Sequence, residues 1–93
     1  MKLLTAEEIN IKLAVLKNWN YENNSIQKEF TCKDFLDALA LEIKIGVIAE
    51  KLDHHPDMLL HSWNKLKVTI STHSEGGVTE KDIELAKQIE KLF

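Results

Sequence analysis

Apolar positions recur along this 93-residue chain with two different periods, and the change of period marks its elements. Ile9, Leu13 and Leu16 fall at helical spacing behind Thr5-Ala6-Glu7-Glu8. That tetrad is a capping box, in which Thr5 accepts from a first-turn amide and Glu8 reaches back to the cap amide. Thr79-Glu80-Lys81-Asp82 opens a last helix in the same way, with Asp in the returning position, and Leu85, Ile89 and Leu92 continue it. The middle of the chain predicts a helix from Thr31, with Asp34 at its third position, to about Asp53. This helix carries two apolar stripes. Phe35, Leu39, Ile43 and Val47 lie four apart and are expected to face the domain's own sheet, while Leu41, Ile45, Ile48 and Leu52 occupy a different face. One core needs one stripe, so the second is expected to meet another subunit.

Between the helices the period falls to two. Leu66, Val68 and Ile70 alternate with Lys67, Thr69 and Ser71, the pattern of a strand covered on one face. Trp19–Tyr21 and Ile26–Cys32 flank the turn-prone Glu22-Asn23-Asn24-Ser25, and Met58–Trp63 and Leu66–His73 flank Asn64-Lys65, giving two hairpins. The order is α-β-β-α-β-β-α. It predicts a single α+β domain over residues 1–93, a four-stranded antiparallel sheet with three helices on one face.

Composition narrows the function. Twelve Lys and Arg against 15 Asp and Glu give a formal charge of −3, with the basic residues scattered among acids. Phosphate backbones are bound through clustered cations, so a nucleic-acid role is disfavoured. The one cysteine, Cys32, has no internal partner and reads as a small apolar filler. The opening residues lack the apolar core of a signal peptide. Glu42 and Lys44 break the longest apolar stretch, so no membrane span is expected and the protein is expected to stay in the cytoplasm. A domain this small buries a modest core, which favours association with copies of itself.

All four histidines fall within twenty positions, at 54, 55, 61 and 73, near Glu50, Asp53 and Asp57. Imidazole gives and takes protons near neutrality. Glu50 and His54 are four apart at a helix end and are expected to share a face. Pro56 is expected to stop the helix and to turn His55 into the following segment. His73 is expected at the end of the last strand, beside Gly76-Gly77.

The order Glu50-x3-His54-His55-Pro56, then six residues to Trp63, nine to His73 and eight to Asp82, resembles the pattern of the pterin-4a-carbinolamine dehydratases. Asn18-Trp19, Phe30, Lys33-Asp34-Phe35 and the terminal helix fit as well, so the resemblance runs along nearly the whole chain. It implies three helices on a four-stranded antiparallel sheet and a homodimer or homotetramer. It also implies an enzyme that dehydrates a 4a-hydroxytetrahydropterin to quinonoid dihydropterin and water, in recycling the pterin of aromatic amino-acid hydroxylases, with no metal or organic cofactor. By the same resemblance His54, His55 and His73 are the catalytic set, His54 and His73 moving protons and His55 mainly orienting the ring. Glu50, Asp53, Ser71, Thr72 and Ser74 join the three histidines in binding the pterin. Asp82 belongs to the pattern but is read as the cap partner of Thr79, Trp63 as packing, and His61 as a strand-face residue outside the site. The alternatives are a protein-binding dimerisation module and a pterin-related role near molybdopterin metabolism. A metal site of Glu50, His54 and His73 matches no known ligand spacing.

Overall fold

The protein is described here by a computed structural model covering residues 2–93. Helix α1 spans Ala6–Leu13. Its capping box closes as the tetrad predicts: Glu8 N–H donates to Thr5 Oγ1 at 3.1 Å, and Thr5 N–H donates to Glu8 Oε1 at 2.8 Å. The first hairpin is β1 (Asn20–Glu22) and β2 (Ser25–Thr31), the second β3 (Asp57–His61) and β4 (Lys65–Ile70). Helix α2 (Phe35–Leu52) lies between the hairpins and α3 (Glu80–Glu90) follows them. The four strands form one antiparallel sheet in the order β1-β2-β4-β3.

The register explains the alternation. Ile26 pairs with Ile70, Phe30 with Leu66, and Met58 and Leu60 with Val68 and Leu66, so these side chains share the face that the three helices cover. Ile26, Leu66, Val68 and Ile70 are fully buried there, beside Ile9 and Leu13 of α1 and Ile83, Leu85 and Ile89 of α3. Lys67 and Leu59, on the opposite face, are exposed. Trp19 is core: its indole N–H donates to Glu90 Oε2 at 2.9 Å, and Lys28 reaches the same oxygen at 2.7 Å, tying α3 to β2.

Helix α2 differs from expectation twice. It starts at Phe35 with Asp34 as the cap, Asp34 Oδ1 accepting from Asp37 N–H at 2.8 Å. Thr31 is still in the sheet, paired with Lys65, and Cys32 N–H donates to Asn64 O, so the backbone is committed to strand geometry before the helix can start. The stripes are also exchanged. Ala38, Leu41, Ile45 and Ala49 are the buried residues, whereas Phe35, Leu39, Ile43 and Val47, expected against the sheet, are exposed by 53, 36, 61 and 52 %. Ile48 is half-buried against the core and Leu52 is at the exposed margin. Among the described residues no helix is long and apolar enough to cross a membrane.

Candidate active site

Two chain reversals bring the histidines together. Helix α2 ends at Leu52, because Asp53 takes the left-handed conformation (φ 51°, ψ 43°) while its N–H returns to the Ala49 and Glu50 carbonyls. Left-handed caps satisfy the last carbonyls of a helix, and Asp tolerates the geometry better than most residues. His54 N–H closes on Ala49 O at 3.1 Å. The helix therefore stops four residues before Pro56, the residue expected to stop it. At the other side β4 ends at Ile70. Thr72 N–H donates to Gly77 O at 2.8 Å, and His73–Glu75 make a single 3₁₀ turn closed by Gly76 at φ 73°, a conformation that favours glycine. His73 thus stands on a turn beyond the strand and not at the strand's end.

The two reversals border a cleft of about 300 Å³ lined by Asp53, His54, His55, Ser71, Thr72, His73, Ser74 and Lys81. Seven of the eight residues expected to bind or act on substrate are there. Glu50 is the exception: it stands outside the cleft, and its Oε1 meets His55 Nε2 at 3.0 Å, both side chains being largely exposed. Glu50, expected to share a helix face with His54, meets His55 instead. Two other hollows, of about 320 Å³ by Cys32 and Phe93 and about 640 Å³ along Ile43 and Val47, contain no histidine.

The partner of His54 is Asp82, 28 residues away, with His54 Nε2 and Asp82 Oδ1 2.5 Å apart. Asp82 is fully buried and the His54 side chain only 11 % exposed. The other carboxylate oxygen, Oδ2, accepts from Thr79 N–H and from the Thr72 hydroxyl, each at 2.8 Å. Asp82 is therefore the helix-cap partner that its spacing from Thr79 suggests, and with its second oxygen it also holds a cleft histidine. A carboxylate only accepts, so facing ionised Asp82 it is His54 Nε2 that donates in this contact. His73 is exposed, with no ring hydrogen bond among the described residues. His61 lies apart on the open face of the sheet, bonded to Glu29 Oε1 at 2.6 Å and to Ser62. Trp63, read as packing, is 63 % exposed in the β3–β4 turn and lines no part of the cleft. Lys81 carries no sequence signal beyond its position beside Asp82. Among the described residues no three His, Cys, Asp or Glu side chains are grouped to hold a metal ion.

Comparison with known proteins gives the family. The sequence signature of the family described as pterin 4 alpha carbinolamine dehydratase matches residues 2–92. A Sulfolobus acidocaldarius protein provisionally named pterin-4-alpha-carbinolamine dehydratase is 46% identical over 89 residues, covering 96% of this chain and 97% of its own. A Mycobacteroides abscessus protein with the same provisional name is 42% identical over 90 residues, covering 97% and 95%. The crystal structure of a transcriptional coactivator/pterin dehydratase from Brucella melitensis superposes with a TM-score of 0.91 at 38% identity, over 98% of both chains. A pterin dehydratase-like protein identified as a RuBisCO assembly factor in the alpha-carboxysome shares the fold, with a TM-score of 0.68 at 14% identity over 83% of this chain and 90% of its own. With its fold, its signature and these relatives in agreement, the chain belongs to the pterin-4a-carbinolamine dehydratase family.

Proposed function

We propose that this protein dehydrates a 4a-hydroxytetrahydropterin to quinonoid dihydropterin by histidine acid–base catalysis. The observation that carries the reading is the buried His54–Asp82 pair at the wall of a cleft that also holds His55 and His73. In the reaction the C4a–O bond breaks, the lone pair of a ring nitrogen fills the vacated position, and a ring N–H proton is lost. Hydroxide leaves poorly, so the departing oxygen takes a proton from an acid and departs as water. Positioned acid–base groups contribute roughly 10²–10⁴-fold to such steps. His54 and His73 are assigned the two transfers. His55, held by Glu50, orients the pterin, and Asp53, Ser71, Thr72 and Ser74 complete the binding wall. The pterin stabilises its own cation, so no metal or organic cofactor is assigned.

The reading places the protein in the cytoplasm, recycling the pterin of an aromatic amino-acid hydroxylase or serving a related step near molybdopterin metabolism. It also makes the protein a homodimer or homotetramer, with the exposed Phe35, Leu39, Ile43 and Val47 stripe as a contact between copies. The same stripe supports a second reading, a protein-binding dimerisation module.

The direct test supplies the purified protein with a 4a-hydroxytetrahydropterin made in place by a hydroxylase and follows its absorbance as it dehydrates. The expected result is a dehydration rate that rises in proportion to enzyme. A rate equal to the uncatalysed one over a wide range of protein concentration would leave only the binding-module reading.

A further inference from the structure

Behind His54 the contacts continue inward, and each hydroxyl proton among them has one place to go. The Thr72 hydroxyl donates to Asp82 Oδ2 at 2.8 Å. A hydroxyl has one proton, so in the 2.8 Å contact between the two threonine oxygens it is Thr79 that donates and Thr72 that accepts. Thr79 Oγ1 in turn accepts from Lys81 N–H at 3.3 Å. Reversing the series would take the Thr72 proton from the carboxylate and leave the Thr79 proton without an acceptor. Thr72, Thr79 and Asp82 are 7, 0 and 0 % exposed, so water has little part in the arrangement. At the outer end, His54 Nδ1 makes no hydrogen bond among the described residues. No buried side-chain nitrogen or oxygen there lacks a partner, so Nδ1 is not fully buried, and its ring lines the cleft.

We propose that Thr72 and Thr79 are positioning residues. Their hydroxyls, in series, hold Asp82 so that His54 stays in its Nε2–H tautomer and presents Nδ1 as the proton-transferring atom. The cap of α3 does not account for the Thr72 hydroxyl. Capping of α3 uses Thr79 Oγ1 toward Lys81 N–H and Asp82 Oδ2 toward Thr79 N–H, and neither bond needs it. Thr72 borders the cleft, yet its hydroxyl proton is spent inward, so its effect on substrate passes through Asp82 and His54. The kinetic consequence rests on the dehydratase reading, whereas the tautomer belongs to the folded chain alone.

The test uses the full chain labelled with ¹⁵N, with the His54 ring nitrogens read by long-range proton–nitrogen correlation in alkaline buffer, beside steady-state kinetics. Wild type should show His54 as a single Nε2–H tautomer. Thr72→Val removes the hydroxyl and keeps the shape. It should mix the tautomers and lower kcat by roughly 10-fold or more, as expected for loss of a hydrogen bond to a charged group, with KM little changed. Thr72→Ser restores the donor and should restore both readouts. Tautomer mixing in Thr72→Val alongside a wild type with no dehydratase activity would uphold the positioning and remove the dehydratase reading. An unchanged tautomer and kcat in Thr72→Val would overturn the proposal. If that variant does not fold, Thr72→Ala takes its place with the same two outcomes, and an Nδ1–H tautomer in the wild type would overturn the proposal as well.

Discussion

Ile45 and Ile43 lie two residues apart on α2, and the structure gives them opposite fates. Ile45 is 0 % exposed among the core residues and Ile43 is 61 % exposed. Ile45→Ala removes three buried carbons. At about 0.8 kcal/mol per buried CH₂ the transfer loss is about 2.4 kcal/mol, and the cavity left behind brings the cost to roughly 2–5 kcal/mol. At roughly 0.05–0.15 kcal/mol per residue a chain of this length is stable by about 5–14 kcal/mol, so the variant should fold but melt about 10–30 °C lower. Ile43→Ala touches no core and should change stability by about 0.5 kcal/mol or less where the protein is dissociated. Urea unfolding followed by far-ultraviolet circular dichroism at several protein concentrations reads both. Ile45→Ala should lower the midpoint at every concentration with the slope unchanged. Any loss in Ile43→Ala should grow with protein concentration, because it acts on association. A concentration-independent loss in Ile43→Ala equal to that of Ile45→Ala would refute the orientation of α2.

The α1 capping box should be visible in titration. The Thr5 amide donating to its carboxylate holds Glu8 below the usual carboxylate range. A lowered folded pKa gives stability that is present above the unfolded value and is lost as pH falls through the folded one. Carbon-detected NMR titration should find Glu8 low in wild type and shifted back upward in Thr5→Pro, which suits the φ of −75° there and lacks the amide hydrogen. Burial, with Asp37 and Asp34 nearby, pushes the Cys32 thiol up. Its reaction with a disulfide reagent should be slow in the folded protein and faster in denaturant, and equal rates would contradict that setting. Dehydratase activity should survive exhaustive chelation, and loss to a chelator with rescue by zinc would contradict the cofactor-free mechanism.

The parts legible in the sequence were those set by short-range chemistry. The caps at Thr5 and Thr79 each lie within four residues of what they bind, and both formed. The alternation in Leu66–Ile70 reported a covered sheet face because side-chain direction in a strand has a period of two. Helix α2 was harder, since periodicity fixes the spacing of a stripe but not which of two stripes faces inward. The buried one contains Ala38 and Ala49, small residues that add little to a count of bulky side chains. At its start Thr31 and Asp34 both resemble caps, and only the long-range pairing of Thr31 with Lys65 separates them. The cleft was legible as a set through the family pattern, but its internal pairing was not. Glu50 belongs to His55 by the left-handed turn at Asp53, and His54 to Asp82 by the packing of α2 near α3. A carboxylate has two oxygens, so reading Asp82 as a helix cap did not exhaust what it does.

The central claim is that His54, held by Asp82, moves a proton in the dehydration. Its most direct measurement is the steady-state kinetics of His54→Ala, His73→Ala, His55→Ala and His61→Ala on a 4a-hydroxytetrahydropterin. The account predicts a loss of roughly 10²-fold or more in kcat for His54→Ala and His73→Ala, mainly a raised KM for His55→Ala, and little change for His61→Ala. A His54→Ala enzyme that kept its kcat, or a His61→Ala enzyme that lost it, would contradict the account.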